Sequence, residues 1–158
     1  MLLYAMDTGA PKKKTSAIGK SRGGWTTKIH AIAADVDVPI VHHLSPGSAS
    51  DDPEGRKLME QVPVEIGKGK PLLMDKAYEG NECRAKAEEC GMIPVVPPKS
   101  NRKEPWQYDE ELYKGRNVVE RNFRNIKQFR RVYTRYDKLD ETYNAFISIA
   151  HIARFMKQ

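Results

Sequence analysis

The chain has 158 residues, 39% of them hydrophobic and 30% charged, with a formal net charge of +6. That is one domain's worth of sequence, long enough to bury a core and too short for two ordinary domains, and its basic balance favours a polyanionic partner. No apolar run approaches the roughly 20 residues that cross a bilayer, and the opening Met1 to Met6 lacks the charged start and length of a secretory signal, so a cytosolic protein is expected.

In chain order, Leu2 to Met6 is a short apolar run that predicts one strand, followed by a polar, cationic and mobile loop over about residues 8–24 that carries Lys12, Lys13, Lys14, Lys20 and Arg22. Trp25 to Ala34 and Val38 to Leu44 are rich in Thr, Ile and Val and read as an antiparallel hairpin. Asp52, Pro53 and Glu54 supply a cap, a first-turn proline and a first-turn acid for a helix to about Val62, with Leu58, Met59 and Val62 on its buried side. Pro71 to Asp75 is a compact strand ending in a carboxylate. A helix from Asn81 to Cys90, a stop at Gly91 and a strand from Met92 to Val96 complete a β-α-β unit, whose strands should be parallel with a right-handed crossover. Cys83 and Cys90 lie about 10 Å apart along that helix at 1.5 Å per residue, too far for a disulfide, and are expected as free thiols. A long helix is predicted from Asp109 to about Arg131, buried through Val119, Phe123 and Ile126, and a last helix from Glu141 to Lys157, apolar at Phe146, Ile149, Ala150, Ala153 and Met156.

Three leading antiparallel strands followed by a parallel β-α-β unit predict an α/β protein. Its sheet would be mixed and ribonuclease-H-like, flanked by helices, with residues 1–158 as one domain. Ligands of such sheets gather beyond the carboxyl ends of the parallel strands, where Asp75 sits. The long helix carries a second candidate, because Arg116, Glu120 and Lys127 fall near one stripe, with Tyr113 one turn earlier. Phosphodiester chemistry needs carboxylates that hold two divalent ions, and carboxylate oxygens suit Mg²⁺ or Mn²⁺. Taken alone, Asp75 also reads as an acid capping the next turn, and Glu120 as an ion-pair partner of Arg116 and Arg124.

Charge is unevenly placed. Between Arg116 and Arg135 seven basic residues stand against Glu120 alone, whereas residues 29–98 sum to −5. Asn117, Arg121, Arg124, Gln128, Arg131 and Arg135 recur as a continuous helical face that can follow a DNA backbone or simply be solvated. Arg116 and Lys127 are the expected phosphate contacts near the metals, with Lys12 to Lys14, Lys20, Arg22 and Lys28 as a second patch. His42 and His43 point to opposite faces of a strand, so they do not share a metal, and His30 and His151 read as packed or surface histidines. Trp106, with Tyr108, is expected to pack down the segment before the long helix.

Tyr113-x2-Arg116-x3-Glu120-x6-Lys127 matches the Tyr-(2)-Arg-(3)-Glu-(6)-Lys signature of DDE transposases of bacterial insertion sequences. Ile18 to His30, Leu72 to Tyr78, Pro94 to Lys99 with Asn101 and Arg102, and Phe129 to Leu139 resemble the carboxy-terminal part of the insertion-sequence-5 type. The resemblance covers nearly all of residues 17–155. It implies metal-dependent DNA strand cleavage and strand transfer at insertion-sequence ends, in the bacterial cytoplasm and on the nucleoid. Asp75 and Glu120 would be catalytic and would bind the metals, and Tyr113, Arg116, Arg121, Arg124, Lys127 and Arg131 would contact DNA. Its implied partners are double-stranded DNA, at element ends and target, and further copies of the chain in a homo-oligomer. The family's first aspartate lies on the first strand in an Asp-Ser-Thr-like motif. Here two readings stand: the first strand is truncated and that residue absent, or Asp7 at the strand's end takes its place as the third catalytic carboxylate. The rival function is an inactive transposase fragment that binds DNA or partners the full-length enzyme.

Overall fold

The computed structural model describes residues 1–10 and 17–157, and for 117–120 the backbone alone. Lys12, Lys13 and Lys14, and the side chains of Asn117, Val119 and Glu120, therefore lie outside the described residues.

Strand β1 (Leu2–Gly9) is longer than its apolar run, because Asp7, Thr8 and Gly9 continue in register with Lys28, Thr27 and Thr26 of β3 (Gly24–Asp35). Strand β2 (Gly19–Ser21) and strand β4 (Val38–Pro46) both pair antiparallel with the far edge of β3. The predicted loop over residues 8–24 is thus partly strand, and Ala17 and Ile18 within it are buried. Gly24 closes the tight β2–β3 turn at φ 106°, a left-handed conformation that a residue with a Cβ adopts only with strain.

Helix α1 (Asp51–Met59) and the short α2 (Val64–Gly67) replace the single helix predicted to Val62. Strand β5 (Pro71–Met74), helix α3 (Asn81–Glu89) and strand β6 (Ile93–Val95) form the expected parallel unit. Strand β5 also runs parallel beside β1, with Leu2 opposite Leu73 and Leu3 opposite Met74. The sheet order is β2-β3-β1-β5-β6, with β4 also on β3. This mixed α/β architecture fits a ribonuclease-H-like fold.

The predicted long helix is three pieces: α4 (Glu110–Lys114), α5 (Asn117–Lys127) and α6 (Arg130–Tyr133). Gly115 and Arg116 keep right-handed helical dihedrals between the first two, but their N–H groups bond three residues back, which tightens the turn. Phe129 is extended at φ −79° and ψ 112°, and this ends α5. The break lets Phe129 and Val132 pack with Ile126 against Tyr143 and Ile147. Helix α7 (Asp140–Phe155) follows.

Helices α1 and α3 cover one face of the sheet, where Leu58, Met59, Cys83 and Ala87 meet Leu3, Ile32, Leu72 and Met74. Full burial of Leu72 or Met74 contributes about 1.5–3 kcal/mol each. Gly55 lets α1 come this close, since a Cβ there would sit 2.6 Å from the Tyr78 ring. Helices α5 to α7 cover the other face, onto Tyr4, Met6 and Ile29. Helix α7 buries Tyr143, Ile147, Ala150 and His151; of the stripe predicted for it Ala150 is buried, Phe146 and Ala153 are half-buried, and Ile149 and Met156 are exposed. Both lines of side chains have helical spacing, and the sheet contacts the one that Tyr143 belongs to. Cys83 and Cys90 are free thiols, as expected. No described helix is long and apolar enough to cross a membrane.

Candidate active site

Along β5, Leu72 and Met74 face α1 and α3, while Leu73 packs with Tyr4, Tyr113 and Phe123 on the opposite face. The two-residue period of a strand puts Asp75 on that second face. Asp75 starts the 3₁₀ turn Lys76–Tyr78 but its side chain makes no capping bond. Its carboxylate instead meets Arg116, with Oδ2 3.2 Å from Nη1, and remains half exposed. Arg116 lies at the amino end of α5, with its guanidinium 5.7 Å from the centre of the Tyr113 ring. Tyr113 in turn packs edge-on against Tyr108.

This ion pair brings the start of α5 to the end of β5. The helix is fixed there by Phe123, edge-on to Tyr4 at 4.2 Å, and by Asn122, which accepts from the Tyr4 hydroxyl at 2.9 Å and donates to the Val36 carbonyl. Glu120 lies on the α5 backbone one turn beyond Arg116, about 6 Å along the axis at 1.5 Å per residue.

Asp7 is not brought beside Asp75. It shares the α1 face of β1 with Leu3 and Ala5, whereas Asp75 is on the α5 face. Register puts Tyr4 abreast of Asp75, so Asp7 is three residues farther on, about 10 Å at 3.3 Å per residue. Asp7 lines a small cleft with Lys28 and Asp51. Lys28 Nζ donates to Asp51 Oδ1 at 2.8 Å and to the Ala49 carbonyl at 2.9 Å. Burial, together with the Asp51 charge, pushes the Asp7 carboxyl above the usual range against the opposing pull of Lys28 and Lys127. Lys28 is therefore a paired residue rather than a member of a solvated patch.

The basic face divides. Arg121 and Arg124 are exposed, and Arg124 and Lys127 line a surface hollow of about 500 Å³ with Phe123, Gln128 and Tyr133. Arg131 belongs to α6; it pairs with Asp137 at 3.1 Å and lies over Phe146 at 3.9 Å. Arg135, expected on the same face, is buried at 1% exposure. It donates to Asp140 at 2.6 Å, to Thr27 Oγ1 at 3.0 Å and to the Asp137 carbonyl at 2.9 Å. It joins the sheet to the start of α7 and has no side available to DNA.

The turn after Asp75 is anchored twice. Tyr78 is fully buried, its hydroxyl 3.2 Å from His30 Nδ1, and His30 Nε2 is 2.8 Å from Ser45 Oγ. Glu79 is buried too, and takes Lys99 at 3.0 Å and Arg102 at 2.9 Å. Burial pushes its carboxyl up, but the hydrogen bonds from Arg102 and Lys99 outweigh this and hold it below the usual range. The sequence offered no spacing that marked Glu79; only its pairing across 23 residues reveals it. Trp106 packs as expected, donating to the Val96 carbonyl at 2.9 Å. His43 meets Glu54 on one side of β4 while His42 stacks towards His151 on the other, in line with strand alternation.

Among the described residues no three His, Cys, Asp or Glu side chains converge on one point. Asp75 nevertheless suits a divalent cation: it is a hard oxygen donor at a strand end, uses no oxygen for capping, and already holds a positive group.

Residues 3–155 match the family described as the transposase DDE domain. DDE domains generally use divalent metal ions. Over 132 residues the chain is 30% identical to a Brucella ovis protein that bears the name of a transposase for insertion sequence element IS6501, an alignment spanning 81% of this chain and 94% of that protein. With a family match over nearly its whole length, the chain belongs to the DDE transposases.

Proposed function

We propose that residues 1–158 form one catalytic domain of the insertion-sequence-5 type that cleaves and joins DNA strands at the ends of an insertion sequence. The contact that carries this reading is Arg116 on Asp75, which sets the helix bearing Glu120 against the strand end bearing Asp75. Asp75 and Glu120 would hold Mg²⁺ or Mn²⁺ as a pair of ions, which would supply charge neutralisation at the scissile phosphate. Arg116, Lys127 and Tyr113 orient the phosphate, and Arg121 and Arg124 hold the flanking backbone by charge. Each step is an in-line displacement at phosphorus, first by water and then by the freed 3′ hydroxyl, so catalysis is mainly positioning. Asp7, in its separate cleft with Lys28 and Asp51, would not act as a partner of Asp75. Joining two element ends fits a homo-oligomer on DNA in the bacterial cytoplasm.

The test is nicking of supercoiled plasmid with Mg²⁺ or Mn²⁺. Asp75→Asn and Glu120→Gln should each abolish cleavage and retain DNA binding; undiminished cleavage by either refutes the assignment.

A further inference from the structure

Several cations of the acidic body are held by carboxylates: Arg56 pairs with Asp52, Lys57 with Glu54, and Lys86 with Glu60. Arg84 is held by an aromatic ring instead. Its guanidinium carbon lies over the Trp106 ring, 3.8 Å from the ring centre, and no hydrogen-bond acceptor or carboxylate engages it among the described residues. The ring contact restrains the group while its N–H donors stay uncommitted, so little conformational freedom is lost when it takes an anion. Arg102 also lies against this ring, at 4.7 Å, but its three nitrogens are committed to Glu79 and Asn81. Beside them is a surface cavity of about 580 Å³, lined by Asn81, Arg84, Arg102, Lys103, Glu104 and Trp106. Lys103 is exposed and, among the described residues, unpaired. Three cations face one acid there.

We infer that this cavity is a second DNA-backbone site, in which Arg84 and Lys103 take phosphates of the duplex that flanks the scissile position. It rests on the DNA-processing reading above. The Glu79 anchor ties the segment 99–106 to the turn that starts at Asp75. Asn81 is six residues from Asp75, so α3 begins within roughly 20 Å of it at up to 3.6 Å per residue. One DNA strand carries a phosphate about every 3.4 Å of axis, so the two sites are bridged by at most about six nucleotides. Charge and the open guanidinium edge select a phosphodiester; Trp106 is covered by arginine and is not a base-stacking platform.

The test is fluorescence anisotropy of the full chain with a labelled duplex of several helical turns, titrated with salt. Each lost phosphate contact lowers the slope of log affinity against log salt by about 0.9. Arg84→Gln with Lys103→Gln should therefore flatten it by roughly 2, and Lys103→Gln alone by about 1. The single variant disturbs no described contact and decides the matter if loss of Arg84 impairs folding. Unchanged slopes and affinities in the Lys103 variant would overturn the inference. If Arg124→Gln weakens binding while the cavity variants do not, only this site falls. If the wild-type chain shows no salt-dependent DNA binding, the DNA reading fails and takes this site with it.

Discussion

Replacing Arg135 by Met separates a structural arginine from a DNA-binding one. The substitution keeps an unbranched apolar stem but removes the guanidinium that satisfies Asp140, Thr27 and the Asp137 carbonyl. Asp140 then keeps its charge in a largely enclosed setting, with the Ala17 N–H still donating to it at 3.2 Å. Removing one partner of a buried pair costs about 3–5 kcal/mol, because the other charge is left behind. For a chain of this size each kcal/mol moves the melting temperature by about 2–4 °C, so the variant should melt roughly 6–20 °C lower. Arg124→Met is the control: that side chain is exposed and makes no described ion pair, so its loss should move stability by less than about 0.5 kcal/mol. Calorimetry or urea unfolding monitored by circular dichroism reads both. An Arg135 variant as stable as wild type, but weakened in DNA binding, would refute the buried-clamp argument and return Arg135 to the basic face.

Other outcomes follow from the same contacts. Because Arg116 already neutralises Asp75, Arg116→Gln should tighten Mn²⁺ binding several-fold while weakening DNA binding; titration calorimetry that finds metal affinity unchanged or lowered argues against competition for that carboxylate. Burial pushes His30 and His151 down to about 4, so both are neutral in the fold, whereas unfolded imidazoles titrate near 6.5. The unfolded chain then binds more protons between those values, and stability is full above about pH 7 and falls as pH drops through 6.5 towards 4. Each histidine should withdraw about 2 kcal/mol between pH 7 and 5. Urea midpoints that do not change over that range would exclude the effect.

The hairpin and the β5-α3-β6 unit could be read from the chain alone, because branched and apolar runs bounded by Gly, Pro and Asp are local signals. The signature from Tyr113 to Lys127 was equally plain, since fixed gaps on a helix need no tertiary knowledge. Arginines favour helix wherever they stand, and so the run from Arg116 to Arg135 looked like one charged face. Nothing in it marks Phe129 as the point where the backbone turns extended, because the advantage lies in packing against Tyr143 and Ile147 on a helix encoded later. Helix α7 likewise offers two apolar lines of equal period, and only the sheet selects between them. Asp7 and Asp75 are both strand-end acids in sequence; the pairing of β1 with β5 puts them on opposite faces. Residue types and spacings fixed which groups were available and which helix carried them. Pairing across more than a hundred residues, as in Tyr4 with Asn122 or Arg135 with Thr27, decided which charges are buried and which face outward, because desolvation depends on neighbours that no local window contains.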